Sequence, residues 1–348
     1  MSASNLGTME ATRTRLGRPR YGLSRYLADP VLEIGPGISP FPVPKGTTRI
    51  LAERPFKGSI IDLFPELGPD AIAPEGDVYL DLDTDGLRQF GPNSLGSVVV
   101  SHVLEHTANP LRAISEIHRV LRERGRTLIA LPDRRLTFDR ARPGTTVDHL
   151  AAEFVASIAE VADDHIIEFC IYVEGRAPGD ISESLIAHHR ERSIHAHCWT
   201  AEEFLAAVTY LISTNEVGFD LVDFMGVEHS IDGNNDEEFV FVFEKCSNSS
   251  VGRLLEQWAE CVSSNRITEP SRLQSLATTL AQSSALFMAS DRTPAEELEQ
   301  LLFLWLANRD LRQFECPIVD PQPLAEWASQ NSETDDRVQS LQTRAVER

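Results

Sequence analysis

The sequence predicts an α/β fold built on a doubly wound sheet of seven strands, mostly parallel with an antiparallel last strand, followed by a C-terminal helical extension. From about residue 30, short apolar runs alternate with stretches of helical periodicity, as in strands joined by crossover helices. Two glycines, Gly35 and Gly37, close the first of these runs. Two later runs, 219–224 and 239–243, are joined by the polar loop 228–238 and are expected to pair antiparallel at one edge.

Short apolar runs predict five strands in the first part of the chain: 31–34, 49–52, 78–80, 97–100 and 127–131. Apolar residues recur at three- and four-residue steps over 111–121 and predict a helix that Gly125 ends. Residues 147–162 show a second amphipathic pattern. The capping-box spacing at Thr200 predicts a third helix that runs to about residue 212.

Three segments are predicted along the chain. An N-terminal arm, 1–27, precedes a domain over 28–246 that carries an insertion at about 163–198. After the polar linker 247–250, a helical extension covers 251–348 and has a frayed end. The helices of this extension offer a surface through which two copies of the chain could pair as a homodimer.

Charge, hydropathy and cysteine content exclude several function classes. The chain has 32 Lys and Arg against 53 Asp and Glu, a formal net charge of −21, which repels phosphate backbones and argues against nucleic acid as a partner. No apolar run approaches the roughly 18–20 residues that a membrane span requires. The five cysteines never form a C-x-x-C pair, which favours reduced thiols and a cytoplasmic location over a disulfide or zinc framework.

The glycine turn after the first strand fits a ligand, because ligands of open α/β sheets bind at the carboxyl ends of the strands. A dinucleotide would need its pyrophosphate on a helix N-terminus. Here Pro40, Pro42 and Pro44 remove donors and oppose a regular helix, and Pro40 replaces the third glycine of G-x-G-x-x-G. S-adenosylmethionine has no phosphate, so the prolines favour it. A nicotinamide-dependent oxidoreductase or epimerase is the alternative enzyme class.

The segment 33–37, Glu-Ile-Gly-Pro-Gly, resembles motif I of the class I S-adenosylmethionine-dependent methyltransferases. Later features agree in order: Glu53 after the second strand, the acidic run 81–87, the segment 101–106 with the pattern S-x-V-L-E-H, and the turn 121–126, where Arg124 replaces the commoner glycine. The resemblance covers 28–245. It is strongest to the methyltransferase type 11 group, especially to bacterial members with an LPD+R-TFD segment, and it implies a Rossmann-like fold.

The resemblance implies a cofactor-binding set: Glu33, Gly35, Gly37, Glu53, Asp81, Asp83 and His102. Glu53 matches the acidic residue that grips the ribose hydroxyls, since a carboxylate can accept from both hydroxyls of a diol. Asp83, with Asp81 as a close second, lies where the family keeps an acidic residue near the adenine amine. The alternatives are that Glu33 caps local N–H groups and that the other carboxylates are solvated.

The second substrate is expected beside the fifth strand, where the segment 131–142 brings two aspartates and four arginines to the cofactor edge. Arginine forks suit carboxylate and phosphate oxygens, so an anionic or polyhydroxyl acceptor fits. The predicted acceptor-binding residues are Arg134, Arg135, Arg140 and His197. The alternative is an internal network of salt bridges within a long loop.

Methyl transfer to a hydroxyl needs a base that works near neutral pH, for which histidine is the usual side chain. The predicted catalytic residues are His106, His149 and Asp133. Three histidines of the insertion, His188, His189 and His195, are expected to face solvent.

The spacing His102-x-x-Glu105-His106 resembles the E-x-x-E-H segment with which some relatives hold a divalent metal. His149 or His197 would then supply a further ligand. We prefer the metal-free interpretation of this segment as a hydrogen-bonded strand end, and so expect no metal site.

The expected function is therefore methyl transfer from S-adenosylmethionine to a small or medium-sized acceptor, such as a hydroxyl of a sugar, a glycolipid or another metabolite. The expected partner is a small-molecule or glycan acceptor. A non-catalytic module that keeps the fold and uses 251–348 as a partner surface is the alternative from another class.

Overall fold

A computed structural model describes residues 22–55, 73–226 and 237–264, all within one compact unit over residues 1–267. Seven strands form one sheet: β1 (Val31–Ile34), β2 (Arg49–Glu53), β3 (Val78–Tyr79), β4 (Leu95–Ser101), β5 (Leu121–Pro132), β6 (Phe219–Met225) and β7 (Glu238–Lys245). Their order is β3-β2-β1-β4-β5-β7-β6. Strands β1 to β5 are parallel, and β7 pairs antiparallel with both β5 and β6. The predicted doubly wound, Rossmann-like fold is confirmed.

Six α-helices lie in the described part of the chain: α1 (Pro110–Val120), α2 (Val147–Ala156), α3 (Asp163–Tyr172), α4 (Glu183–Arg192), α5 (Ala201–Ser213) and α6 (Val251–Ser264). Side-chain caps start most of them. Asn109 accepts from the backbone N–H of Arg112 at the start of α1. Thr200 and Glu203 form the predicted capping box of α5, in which each side chain accepts from the other residue's backbone N–H.

The predicted helix end at Gly125 is wrong, because α1 ends at Val120 and the chain continues directly as β5. Leu121 pairs with Leu95, but the next pair joins Ser97 to Arg126, so residues 122–125 form an irregularity in the strand. Gly125 is needed there for close approach, since a Cβ would lie 2.7 Å from the Arg122 carbonyl oxygen.

The core lies on both sides of the sheet. All four residues of β1 are buried, and β4 and β7 are buried over nearly their whole lengths. On the β6 side, α6 covers the sheet through Trp258, whose fully buried ring stacks on Phe241 and meets Phe224 edge-on. Thus the first helix of the predicted extension packs on the sheet.

The inserted segment forms a small unit of its own above the carboxyl edge of the sheet. Helices α3 and α4 pack on each other around Ile166, Cys170 and Ile194, which are buried. The sequence analysis predicted no helix or strand in this segment.

The boundaries at 1–27, 28–246 and 251–348 stay predictions. Most of the arm, most of the loop 228–238 and the extension beyond residue 264 lie outside the described residues, as does most of the surface predicted for a homodimer. No helix in the described part is long and apolar enough to cross a bilayer.

His118 on α1 makes stability depend on pH. Its Nε2 accepts from the backbone N–H of Gly218 at 3.1 Å, which requires a neutral ring. Burial, helped by the charge of Lys245, lowers the pKa of His118 to about 4 from its ordinary value of 6.5. Between these values the unfolded chain binds the proton that the folded chain refuses, so the free energy of unfolding falls as pH drops through this window.

We expect His118→Gln, which cannot titrate, to lose less stability than the wild type between pH 7 and pH 4. Urea unfolding at several pH values measures this difference. The exposed His188, changed to Gln, serves as the control. An identical pH slope for the wild type and His118→Gln would contradict the assignment.

Candidate active site

The carboxyl ends of the five parallel strands bring the predicted functional residues to one edge of the sheet. Gly35 follows β1, Glu53 ends β2, Asp81 comes after β3, His102 follows β4 and Asp133 follows β5. This is the edge at which open α/β sheets bind ligands.

The glycine turn after β1 needs both of its glycines. Gly35 and Gly37 have φ values of +62° and +54°, in the left-handed region that favours glycine. A Cβ on Gly35 would lie 2.6 Å from the Cγ2 of Val103, so the turn packs directly on the segment after β4. Apart from its chain neighbours, no atom of the described residues lies within 4 Å of a Cβ built on Gly37, which leaves open space for a ligand. No helix follows the turn over residues 38–48, as the prolines predict.

Glu33 is buried and bound within the protein. Its Oε1 accepts from the backbone N–H of Phe41 at 2.5 Å, and its Oε2 accepts from the Nε of Arg49 at 3.0 Å. The carboxylate therefore holds the proline-rich segment against β1 and β2, which is the local-cap alternative. Its predicted contact with a cofactor stays a prediction.

Glu53 has the free acceptor that a ribose would need. Burial raises the pKa of its carboxyl group, against the lowering effect of a hydrogen bond donated by the Gly37 backbone. Its Oε1 is buried and has no hydrogen-bond partner among the described residues. A buried acceptor without a partner is costly, and a ribose hydroxyl would satisfy it. The residues present thus fit S-adenosylmethionine.

The acidic run after β3 is internally ordered. Asp81 accepts from the backbone N–H groups of Asp83 and Thr84 at 2.8 and 3.3 Å. Both oxygens of Asp83 accept from the Ala108 N–H, at 2.9 and 3.0 Å, just before α1. Burial raises the pKa of Asp83 to about 6. The run is therefore more than a solvated face, although its contact with adenine stays a prediction.

A cavity of about 200 Å³ lies between this edge and the inserted helices. Its walls include, from the edge, Asp81, Asp83, Thr84 and His106, and from the insertion, Ile166, His189 and Ile194. The α3–α4 unit therefore forms the roof of the candidate site.

The arginine segment after β5 forms an extensive internal network. Arg134 holds Glu203 through two nitrogens at 2.9 and 2.8 Å. Arg135 holds both carboxylate oxygens of the buried Asp133, at 2.8 and 2.5 Å. Arg140 is exposed. The sequence allowed either acceptor recognition or an internal network of salt bridges, and the structure contains such a network. The acceptor-binding and catalytic roles of these residues stay predictions.

Arg142, which the sequence analysis did not assign, is the most buried guanidinium of this segment. Its side chain has 0% exposure and donates to Asp139 at 2.8 Å and to Glu168 at 2.9 Å. It also donates to the carbonyl oxygens of His195 and Ala196, at 2.7 and 3.0 Å. It thereby joins the segment after β5 to α3 and to the end of the insertion.

His195 and His189 were expected to face solvent, but the structure places both away from it. The His195 side chain is 13% exposed, and its Nδ1 lies 2.6 Å from the Oδ2 of the fully buried Asp139. Burial alone would raise the pKa of Asp139, but hydrogen bonds and charges from His195 and Arg142 keep it below its ordinary value. His189 is 3% exposed. The alternation His195-x-His197-x-Trp199 was the available signal, because such spacing puts side chains on one side of an extended chain.

His106 lines the cavity with a defined hydrogen bond. Its Nδ1 lies 2.9 Å from the carbonyl oxygen of Ile194, so Nδ1 carries the proton and Nε2 carries the lone pair. Burial lowers the pKa of His106 to about 4, partly offset by the nearby Glu105. Ligand atoms of Glu105, His106 and His195 all lie within 4.8 Å of one another.

Glu105 and His102 complete the segment after β4. Glu105 has 0% exposure, and its carboxylate oxygens have no hydrogen-bond partner among the described residues. The ring of His102, 41% exposed, lies 3.5 Å from Glu105 and 2.9 Å from Glu238. The predicted cofactor role of His102 is untested by this arrangement.

His149 and His197 lie together in a second group of side chains, away from His106. They surround Glu153 with His165, a residue that the sequence analysis did not single out. The structure thus divides the predicted histidines between the cavity wall and this separate cluster.

A family model described as a methyltransferase domain, of the type 11 group, matches residues 59–129. The match contains the acidic run 81–87 and the segment 101–106, both of which lie at the carboxyl edge. This match supports a class I S-adenosylmethionine-dependent methyltransferase domain in this part of the chain. The matched family points to S-adenosylmethionine as the cofactor.

Several solved structures resemble this chain. One is the CurJ carbon methyltransferase, 14% identical, covering 64% of this chain and 50% of that one with a TM-score of 0.34. A possible histamine N-methyltransferase from Thermotoga maritima is 13% identical. The comparison covers 65% of this chain and 87% of that protein, with a TM-score of 0.35. A SAM-dependent methyltransferase from Methanosarcina mazei is 16% identical. The comparison covers 65% of this chain and 97% of that protein, with a TM-score of 0.33. The chain spans half the length of the first. No curated protein matches the sequence.

Glu53→Gln tests the predicted cofactor edge of the sheet. We expect about tenfold or more weaker binding of S-adenosylmethionine, because a charged acceptor for the ribose is lost. Isothermal titration with S-adenosylmethionine and its demethylated product measures the change. The thermal midpoint should not fall, since burial already disfavours the Glu53 charge.

The exposed Glu75, changed to Gln, is the matched control for this experiment. Equal affinity for the cofactor in Glu53→Gln and the wild type would rule out the ribose role.

Proposed function

We propose that the methyltransferase transfers the methyl group to a hydroxyl of a sugar, a glycolipid or a similar polyhydroxyl metabolite bound in the cavity under α3 and α4. The observation that carries this proposal is His106, a neutral histidine with a fixed tautomer on the cavity wall. A hydroxyl must lose its proton on methylation, and Nε2 of His106 is an acceptor for that proton.

S-adenosylmethionine, held at Glu53 and the glycine turn, would supply an activated methyl group for the acceptor oxygen, with the electrons of the broken sulfur–carbon bond left on sulfur. The protein has to align the two substrates and take up the hydroxyl proton. His106 receives this proton at Nε2, while the Ile194 carbonyl holds Nδ1–H in place.

Glu105 and the His195–Asp139 pair support His106. The buried Glu105 raises the pKa of His106 against the effect of burial, so its charge stabilises the imidazolium as it forms. The ring of His195 lies edge-on to that of His106, with centroids 4.8 Å apart, and Asp139 fixes its orientation. Together they keep the His106 ring in one position.

The cavity wall favours a polar acceptor over a hydrocarbon. Carboxylates, arginines and histidines alternate there with two isoleucines, Ile166 and Ile194. Sugars match this wall, because their hydroxyl groups can bind its polar side chains and their C–H faces can pack on its isoleucines.

We expect His106→Gln to lower kcat by about 100-fold or more, because the general base is lost. Cofactor affinity should stay near that of the wild type, since Glu53 and the glycine turn are unchanged in this variant. Release of the demethylated cofactor, measured with a panel of sugars and glycolipids and then with amines and carboxylic acids, reports both activity and acceptor class.

His188→Gln, on the exposed face of α4, is the matched histidine control. Turnover with amines or acids alone, or full kcat in His106→Gln, would contradict the proposed hydroxyl acceptor.

A further inference from the structure

We propose that His149, Glu153, His165 and His197 form a binding site for one divalent transition-metal ion of the zinc type. The site uses none of the residues predicted to bind the cofactor, although it includes His149 and His197, for which the sequence predicts catalytic and acceptor-binding roles. The inference goes beyond the proposed methyl transfer and does not depend on the identity of the acceptor. It also departs from the expectation, drawn from the sequence, of a metal-free protein.

The first support is the mutual distance of the ligand atoms. Nε2 of His149 and Nε2 of His165 lie 3.1 Å apart, and Oε1 of Glu153 lies 3.1 and 2.8 Å from them. Four ligands about 2.0–2.1 Å from a tetrahedral zinc ion would be separated by roughly 3.3 Å. The three atoms therefore form a triangle close in size to one face of such a tetrahedron.

The second support is a buried histidine without a hydrogen bond. His197 has 0% exposure, and neither of its ring nitrogens has a hydrogen-bond partner among the described residues. Its Nε2 lies 3.5 Å from Oε2 of Glu153, an oxygen that also lacks such a partner. Potential ligand atoms of the four residues all lie within 4.8 Å of one another.

Hydrogen bonding alone accounts for only part of this cluster. Hydrogen bonds among Nε2 of His149, Nε2 of His165 and Oε1 of Glu153 would satisfy these three atoms. It leaves His197 and Oε2 of Glu153 buried without partners, which is costly. A metal ion in the middle would satisfy all four side chains at once.

Charge and ligand type agree with a divalent transition metal. Three neutral imidazoles and one carboxylate carry a net charge of −1, and this set suits zinc and its neighbours better than magnesium or calcium. Four protein ligands would make a closed site, as in structural zinc centres. His149 is 46% exposed, which gives an ion a route of entry.

The fold orients the ligands before any ion binds. His149 and Glu153 are four residues apart on α2, so they share one face of the helix. The ring of His197 stacks on Trp199, with centroids 5.6 Å apart. The backbone N–H of His197 donates to the Glu105 carbonyl at 3.0 Å, which ties the cluster to the segment after β4.

The role that follows is structural. The ligands come from α2, from α3 and from the extended segment after α4, and those elements support the roof over the acceptor. A bound ion would cross-link the three elements and rigidify the roof.

The test uses the full chain, treated with a chelator and then titrated with zinc chloride alone. Calorimetry should show one zinc ion per chain, and zinc should raise the Tm of the wild type by several degrees. His149→Gln, at the most exposed ligand, should bind zinc at least tenfold more weakly while keeping the wild-type circular dichroism spectrum. His188→Gln, an exposed histidine outside the cluster, should bind as the wild type does.

A second variant and a spectroscopic readout sharpen this test. Glu153→Gln keeps the side-chain shape and should also weaken zinc binding. Co²⁺ in place of zinc should give the visible spectrum of a four-coordinate ion in the wild type and lose it in His149→Gln. Absence of zinc binding to the wild type, or wild-type affinity in His149→Gln, would overturn the proposal. None of these readouts depends on methyl transfer.

Discussion

The buried guanidinium of Arg142 positions the insertion against the sheet, and the arrangement of the histidines depends on it. A charged group with no solvent contact is tolerable only when its N–H donors find acceptors. Arg142 finds them in two carboxylates and two backbone carbonyls, drawn from the segment after β5, from α3 and from residues 195–196. Those carbonyls belong to the stretch that carries His195 and leads to His197. Arg142 thus helps to place both rings relative to the strand ends, together with the contact of His195 with Asp139 and the hydrogen bond from the His197 N–H to the Glu105 carbonyl.

Much of the sheet follows from local sequence, because buried parallel strands are short, apolar and punctuated. The runs at 31–34 and 97–100 needed no long-range information, and the glycines of the first turn marked the binding edge. The helix end at Gly125 failed for a tertiary reason. The charged residues 122–124 and the following Gly125 are typical of the end of a surface helix. In the structure Leu121 and Arg126 pair with β4, and the intervening residues form an irregularity in the strand.

The candidate site was harder to predict because its contacts join distant parts of the chain. Arg134 could have been free for an acceptor, and only the fold shows that Glu203 of α5 holds it. Glu153 read as one position on an amphipathic helix, yet it meets His165 and His197. The short helices of the insertion have weak periodicity, so the burial of His189 left little trace in the sequence.

The roof over the cavity has a small apolar core of its own around Ile166, Cys170 and Ile194. Substitutions inside that core can reshape the space above the methyl donor while leaving the strands beneath unaltered. In the proposed reaction, the roof over the acceptor and the strand ends that hold the methyl donor are different parts of the chain. Such a separation lets the shape of the roof change while the glycine turn and the strand ends keep theirs.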